Sequence, residues 1–310
     1  MNASTAASIR VVYFGTPAYA VPALEMLTRD PRVDVALVVT QPDRPAGRGR
    51  KLTAPPVKLH ADAAQIAVYQ PERLRSEGDR APIVAAQADL FVVAAFGKIF
   101  GPKLLAIPRL GSVNLHASLL PAYRGASPIS AAILQGEPET GVTLMRMDTG
   151  LDTGPILSAR SIPIGPDDTT VTLTSTLAEL GAALLSDSLN DLATGSLVPT
   201  AQDDSRASLT RPMVKADGWI DWRRPAAEIE RQVRAMWDWP RAWTTLDGNP
   251  VQIHKARVDD ATHDVPPGTV VDTRTTAKVA TGSGWLILNT VQNAGGKPVD
   301  GSSWAMQSGA

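Results

Sequence analysis

The sequence predicts an α/β fold: a mostly parallel sheet with helices on both faces, followed by a small β-barrel. Three observations support this. Short apolar runs at residues 9–14, 33–40 and 90–95 alternate with helix-like segments, as in βαβ units. All seven tryptophans lie beyond Leu209, whereas all four tyrosines lie before residue 197, so the composition breaks there. Five short strand candidates then follow within about 100 residues, which suits a small open barrel. The first part is therefore Rossmann-like and the last part OB-like. The expected division is residues 1–196, a polar linker at 197–209 that includes Gln202-Asp-Asp-Ser205, and residues 210–310.

Composition narrows the function classes. With 310 residues, 44% hydrophobic and 20% charged, the chain can bury a sizeable core in two domains. Its formal net charge of −1 provides no global attraction to nucleic acid, so any such attraction must be local. The absence of cysteine excludes disulfides, thiolate metal sites and a cysteine nucleophile. His60, His116, His254 and His263 have no metal-ligand spacing, so no metal is expected. No apolar run approaches a membrane span, residues 1–8 lack a basic and then apolar leader, and the cytoplasm is the expected compartment.

In chain order, the strand at 9–14 leads through Gly15-Thr-Pro17 into a helix with Ala20, Leu24 and Leu27 at helical spacing. Gly15 lacks the further glycines of a dinucleotide fingerprint. The strand at 33–40 is nearly all apolar, as a parallel strand covered on both faces should be. Residues 41–58 then read as a long loop, with Arg44, Arg48, Arg50, Lys51 and Lys58 against Asp43 alone. Such a cationic excess suits a phosphate backbone, and equally a solvated loop without a ligand. A helix at 57–66, a short strand at Val68-Tyr69 and a buried strand at 90–95 follow. On pattern alone, Phe96 reads as packing.

Asn114 and His116 stand two apart on an extended segment, so their side chains leave one face. This places them at a strand's carboxyl end, where open α/β sheets bind ligands. Ser127 with Pro128 starts a helix to about Leu134, and a strand at 143–147 delivers Asp148 and Asp152 into a glycine-flanked loop. An imidazole, an amide and a carboxylate are the parts needed to move a proton and stabilise an oxyanion. Asp168 is expected to cap a helix over about 170–193, stopped by Gly195. Beyond the linker, Pro225 opens a helix with Ile229, Val233 and Met236 apolar. Strands are expected at 242–246, 251–256, 269–273, 278–280 and 285–289.

Asn114-Leu-His116, Ser118-Leu-Leu-Pro121, Arg124-Gly125, Thr140-Gly-Val-Thr143 and Asp152-Thr-Gly-Pro155 together resemble the signature of folate-dependent formyltransferases. The resemblance implies a catalytic trio of Asn114, His116 and Asp152, and it selects Asp152 over Asp148. It also implies 10-formyltetrahydrofolate as cosubstrate, with Phe96, Ser118, Leu119, Leu120 and Pro121 shaping its site. The 41–49 segment resembles that of the family's member acting on initiator methionyl-tRNA, which implies that partner and assigns Arg44, Arg48, Arg50 and Lys51 to it. Residues around Ile220-Asp-Trp222 and Trp239-Pro240 resemble the corresponding C-terminal domain. Asp238 between two tryptophans and the small polar ending from Trp304 depart from the usual pattern. From Ser208 onward, 12 Lys and Arg face 11 Asp and Glu, so the 41–58 segment contributes most of the tRNA-directed charge. A monomer is expected.

The chemistry expected is attack of a neutral α-amine on the formyl carbon. Asn114 and His116 donate to the developing oxyanion, where losing one donor costs about 2.7–4 kcal/mol. Asp152 holds the imidazole and helps relay the proton to N10. Ser118 lies outside any nucleophile elbow. Three alternatives stay open: transfer to a small amine such as glycinamide ribonucleotide or an amino sugar nucleotide, hydrolysis of formyltetrahydrofolate, and a non-enzymatic RNA-binding module.

Overall fold

The computed structural model describes residues 8–46, 49, 51–272 and 276–308. The chain runs through β1 (Ile9–Gly15), α1 (Val21–Arg29), β2 (Val33–Val39), β3 (Arg44–Ala46), β4 (Lys51–Thr53), α2 (Pro56–Ala63) and β5 (Val68–Tyr69). It continues through α3 (Glu77–Ala85), β6 (Leu90–Ala94), α4 (Pro102–Leu105), β7 (Ser112–His116), β8 (Arg124–Gly125), α5 (Pro128–Gln135), β9 (Glu139–Arg146), β10 (Ile156–Pro163), α6 (Thr170–Thr194) and β11 (Leu209–Thr210). The last part holds α7 (Ala226–Ala235), β12 (Ala242–Leu246), β13 (Asn249–Asp259), β14 (Val270–Asp272), β15 (Ala277–Ala280), β16 (Trp285–Asn293), β17 (Val299–Asp300) and α8 (Gly301–Ser308).

Contacts divide the chain into two units. One comprises Met1–Pro128, Thr140–Ile162 and Thr174–Thr210; the other comprises Ile129–Glu139, Pro163–Leu173 and Arg211–Ala310. The first unit is built on a seven-stranded sheet in the order β10-β9-β7-β6-β1-β2-β5. β1, β2, β5, β6 and β7 are mutually parallel where they pair, and β9 is antiparallel to β7. The chain leaves β1 outward through β2 and returns through β6, so the strand order reverses beside β1. That switch point is where such sheets open a crevice at their carboxyl ends.

Helices cover both faces, as predicted. Val12, Phe14, Phe91 and Val93 pack on one face against Ile83 of α3 and Leu104 of α4. On the other face, Tyr13 donates to the Ala20 carbonyl at the start of α1 (2.5 Å), and burial raises its phenol pKa. The α6 backbone approaches this face closely: a Cβ at Gly181 would stand 3.5 Å from Val142 and 3.8 Å from Leu115. All four phenylalanines of the chain form one cluster, with Phe14 centred 5.0, 5.4 and 4.9 Å from Phe91, Phe96 and Phe100.

Four local expectations are revised. The 41–58 loop contains an antiparallel ribbon, with Arg44 opposite Thr53 and Ala46 opposite Lys51. Its second strand, β4, is exposed throughout, so no apolar alternation marks it. Helix α3 was not anticipated because Gly78 and Pro82 both interrupt its helical pattern; a Ser76/Asp79 capping box and partial packing sustain it. The edge strand β10, in which only Leu157 is buried, was likewise unmarked. At α6, Thr169 is the cap: its hydroxyl accepts from Thr172 N (3.2 Å) while Thr172 Oγ1 accepts from Thr169 N (2.9 Å). Asp168 lies one residue further out and accepts from Gly165 N and Thr172 Oγ1.

In the second unit, β12, β13, β16, β15 and β14 form a curled antiparallel sheet, and β16 changes partner along one edge from β15 to β17. Ile229 and Val233 of α7 fill its concave side together with Ile253, Leu286 and Val291. The small polar ending folds as α8, and Trp304 is 4% exposed within the same core, its indole donating to Asn293 Oδ1 (2.8 Å). Trp304→Ala should therefore destabilise this unit by about 3–5 kcal/mol in a urea titration followed by circular dichroism. A loss below about 1 kcal/mol would show that α8 does not seal the core.

Candidate active site

β7 carries Asn114 and His116 out of the sheet on one face. Asn114 is opposite Val93 of β6 and Met145 of β9, and His116 is opposite Thr143. β6 ends at Ala94, so His116 emerges beside the open carboxyl end of its neighbour. The following loop folds back over it. Ser118, fully buried, donates its hydroxyl proton to the Ala122 carbonyl (2.6 Å). Thr143 Oγ1 donates to the Ser118 carbonyl (2.7 Å) and accepts from Leu120 N (3.1 Å). Tyr123, left-handed at φ 60°, sets its carbonyl 2.9 Å from His116 Nε2.

That contact determines the tautomer. A backbone carbonyl only accepts, so Nε2 must carry the proton that binds it, and Nδ1 of the neutral ring bears the lone pair. Nδ1 lies 3.6 Å from Asp152 Oδ2, with the His116 and Asp152 side chains 7% and 17% exposed. Asp152 Oδ2 also accepts from Gly125 N (2.8 Å). Asp152 is itself left-handed at φ 53°, a conformation that costs a non-glycine residue roughly 1–3 kcal/mol unless its surroundings impose it. Among the described residues, none hydrogen-bonds the Asn114 carboxamide, so its donors are available to a bound acceptor.

Asp148 serves the loop instead. Its carboxylate accepts from Gly150 N (3.0 Å) and from Thr153 Oγ1 (2.8 Å). Two glycines of the motifs are required by close approach: a Cβ at Gly125 would lie 2.3 Å from the Thr210 carbonyl, and one at Gly154 would lie 1.8 Å from the Arg146 carbonyl.

The geometry at His116 differs from what its expected role as an oxyanion donor needs. With Nε2 held by Tyr123, the neutral ring cannot donate to an oxyanion. Its free nitrogen is suited to take a proton beside a carboxylate, and the Asn114 carboxamide keeps donors of the kind an oxyanion needs. The candidate folate residues also separate. The Phe96 ring is buried in the phenylalanine cluster, and its carbonyl accepts from Gln41 Nε2 (3.0 Å). The Ser118 hydroxyl is occupied and Leu120 is buried, whereas Leu119 and Pro121 remain half-buried at the loop surface. No three His, Asp or Glu side chains group as a metal site among the described residues.

Of the four candidate tRNA contacts, Arg44 and Lys51 project from one face of the β3–β4 ribbon, because Lys51 and Thr53 stand two apart on one strand and Arg44 is opposite Thr53. Arg48 and Arg50 lie outside the described residues. Arg44 is 68% exposed, 3.8 Å from Glu72. Lys58 is occupied at the ribbon's base, pairing with Asp43 at 3.0 Å, and bonds from Gln70 and Lys58 hold the Asp43 carboxyl below the usual carboxylate range.

Sequence reading missed Gln202. Its side-chain nitrogen donates to the carbonyls of Asp152 (2.8 Å) and Gly154 (2.7 Å). Nothing distinguishes it within a polar stretch that reads as a linker. β11, at the end of that stretch, pairs in parallel with β8, with Thr210 opposite Gly125, the residue whose N–H binds the Asp152 carboxylate.

The formyl transferase family model matches residues 9–189, and that of the formyl transferase C-terminal domain matches residues 212–309. The chain belongs to the formyl transferase family. It is 48% identical to the methionyl-tRNA formyltransferase of Roseiflexus sp. (strain RS-1) over 297 residues, 96% of this chain and 91% of that one. It is 45% identical to the protein of that name in Trichlorobacter lovleyi over 296 residues, covering 95% and 93% of the two chains. Among solved structures, the fold resembles an N-formyltransferase from Helicobacter canadensis in complex with folinic acid and dTDP-3-aminofucose (TM-score 0.67, 21% identity, 92% of this chain and 99% of that one). It also resembles HypX from Aquifex aeolicus in complex with tetrahydrofolic acid (TM-score 0.61, 15% identity), whose length this chain spans by about half, 48%.

If the family's chemistry runs through His116 and Asp152, Asp152→Asn should lower kcat for formyl transfer by about 100-fold or more. Asp148→Asn, which removes only a brace of the loop, should have the smaller effect. Steady-state kinetics of the two variants decides, and the reverse order would contradict the assignment.

Proposed function

We propose that the protein transfers the formyl group of 10-formyltetrahydrofolate to the α-amine of initiator methionyl-tRNA, producing N-formylmethionyl-tRNA for translation initiation. The observation that carries this reading is the Asn114, His116 and Asp152 site within a chain 48% identical to a methionyl-tRNA formyltransferase over 96% of its length. The neutral amine forms a bond to the formyl carbon. Asn114 donates to the oxygen as it becomes an oxyanion. His116 Nδ1 takes the proton from the attacking nitrogen, and the Asp152 carboxylate stabilises the resulting imidazolium. The proton passes to N10 as its bond to the formyl carbon breaks, releasing tetrahydrofolate, so no covalent enzyme intermediate is required.

In this reading residues 1–196 carry the chemistry and Ser118–Pro121 face the folate, Leu119 and Pro121 through their side chains and Phe96 through its backbone. Arg44, Arg48, Arg50 and Lys51 meet the tRNA backbone. Residues 210–310 add a second RNA surface, where Trp219 and Trp239 are exposed and Lys215 lies 5.7 Å over the Trp243 ring. No helix of the described residues is long and apolar enough to cross a membrane. The protein is read as a cytoplasmic monomer, which size-exclusion chromatography can check.

Formyl transfer to charged initiator tRNA should be abolished by His116→Ala and should weaken as salt rises. Arg44→Ala and Lys51→Ala should each raise KM for tRNA, leave KM for folate unchanged, and reduce the salt slope by about 1. A wild type that leaves charged tRNA untouched while formylating a small amine would keep the chemistry and remove the tRNA assignment.

A further inference from the structure

We propose that Gln202 is a positioning residue that holds Asp152 against His116, so that the stretch between the two family-matched segments completes the active site. The matched segments end at residue 189 and resume at 212, and Gln202 lies between them. Its carboxamide orientation is settled by chemistry. The nitrogen faces two carbonyls, Asp152 O and Gly154 O, which only accept. The oxygen faces Arg124, which only donates, through Nε (3.0 Å) and a terminal nitrogen (2.8 Å). Arg124 is buried, and its same terminal nitrogen donates to Asp204 (2.7 Å). Thr210 Oγ1 fixes the Arg124 carbonyl (3.0 Å).

These bonds close a ring around Asp152. Gln202 holds the Asp152 carbonyl, Arg124 holds Gln202, and Gly125 N, the next residue along, holds the Asp152 carboxylate. Backbone and side chain of one left-handed residue are thus fixed from two sides by neighbouring groups. A non-glycine residue keeps such a backbone only where its surroundings impose it. Removing the Gln202 donors frees the Asp152 and Gly154 carbonyls and lets the loop relax, which withdraws the carboxylate from His116 Nδ1.

This inference rests on the formyl-transfer reading above. Gln202→Glu separates the two halves of the residue's function: it keeps an acceptor for Arg124 and places an acceptor where Asp152 and Gly154 need a donor. In the wild-type background, Gln202→Glu should lower kcat by about 10-fold or more, with KM for both substrates within twofold. In the Asp152→Asn background, the same change should alter kcat by less than twofold, because Gln202 acts only through that carboxylate. An equal loss in both backgrounds, a change confined to KM, or an unchanged kcat would overturn the proposal. If Gln202→Glu lowers the melting temperature by more than about 4 °C, Gln202→Asn takes its place in the cycle with the same outcomes; it keeps the carboxamide but is one methylene too short to span Arg124 and both carbonyls. A wild type inactive on charged tRNA marks failure of the functional reading; the cycle is then run on hydrolysis of 10-formyltetrahydrofolate, where the same outcomes apply.

Discussion

The hydrogen bond from His116 Nε2 to the Tyr123 carbonyl, at 2.9 Å, is the constraint on which the site depends. It commits one ring nitrogen to donation and leaves the other as the only basic position of the neutral imidazole. In the proposed reaction Nδ1 is therefore the position that takes the proton, on the side where Asp152 stands. The other neutral tautomer would place a lone pair against the Tyr123 carbonyl and a proton on the nitrogen that faces the carboxylate. Several features support this contact: the left-handed Tyr123, the buried Ser118 hydroxyl that ties the loop to Ala122, and the Thr143 hydroxyl that anchors the loop to β9.

The division of labour follows from which groups are already occupied. Asp148 is taken up by its own loop, so Asp152 is the carboxylate left to face the imidazole. Asn114 keeps its donors, and in the proposed reaction it stabilises the oxyanion. Lys58 is bound to Asp43, so among the described residues the cationic face of the β3–β4 ribbon is carried by Arg44 and Lys51. Gln41, at the root of that ribbon, donates to the Phe96 carbonyl at the exit of β6, which ties the charged segment to the end of the sheet where Asn114 and His116 stand.

Much of the fold was legible because covered parallel strands write nearly continuous apolar runs, as residues 90–94 do without interruption and 33–39 do but for Asp34. The two-residue spacing of Asn114 and His116 was legible for the same geometric reason. The remainder was carried by groups without a sequence signature. The partner that fixes His116 is a backbone carbonyl, which any residue type at position 123 would supply. Gln202 is one polar residue among several, and its value appears only when the chain returns to lay β11 beside β8. Asp148 and Asp152 share a loop and a residue type, and only their hydrogen bonds separate them. The ending from Trp304 reads as small and polar because Trp304 and Ala305 are the buried apolar residues among the described ones of α8, too few to mark a helix.

The tautomer of His116 tests this account most directly. Protein labelled with 15N in its four histidine rings, with His116 assigned by comparison with His116→Gln, reports by long-range 1H–15N correlation which ring nitrogen bears the proton in the neutral state. The account predicts a proton on Nε2 and a bare Nδ1. A neutral His116 protonated on Nδ1 would contradict it, because the nitrogen assigned to the chemistry would then be occupied and the Tyr123 carbonyl would lack its donor.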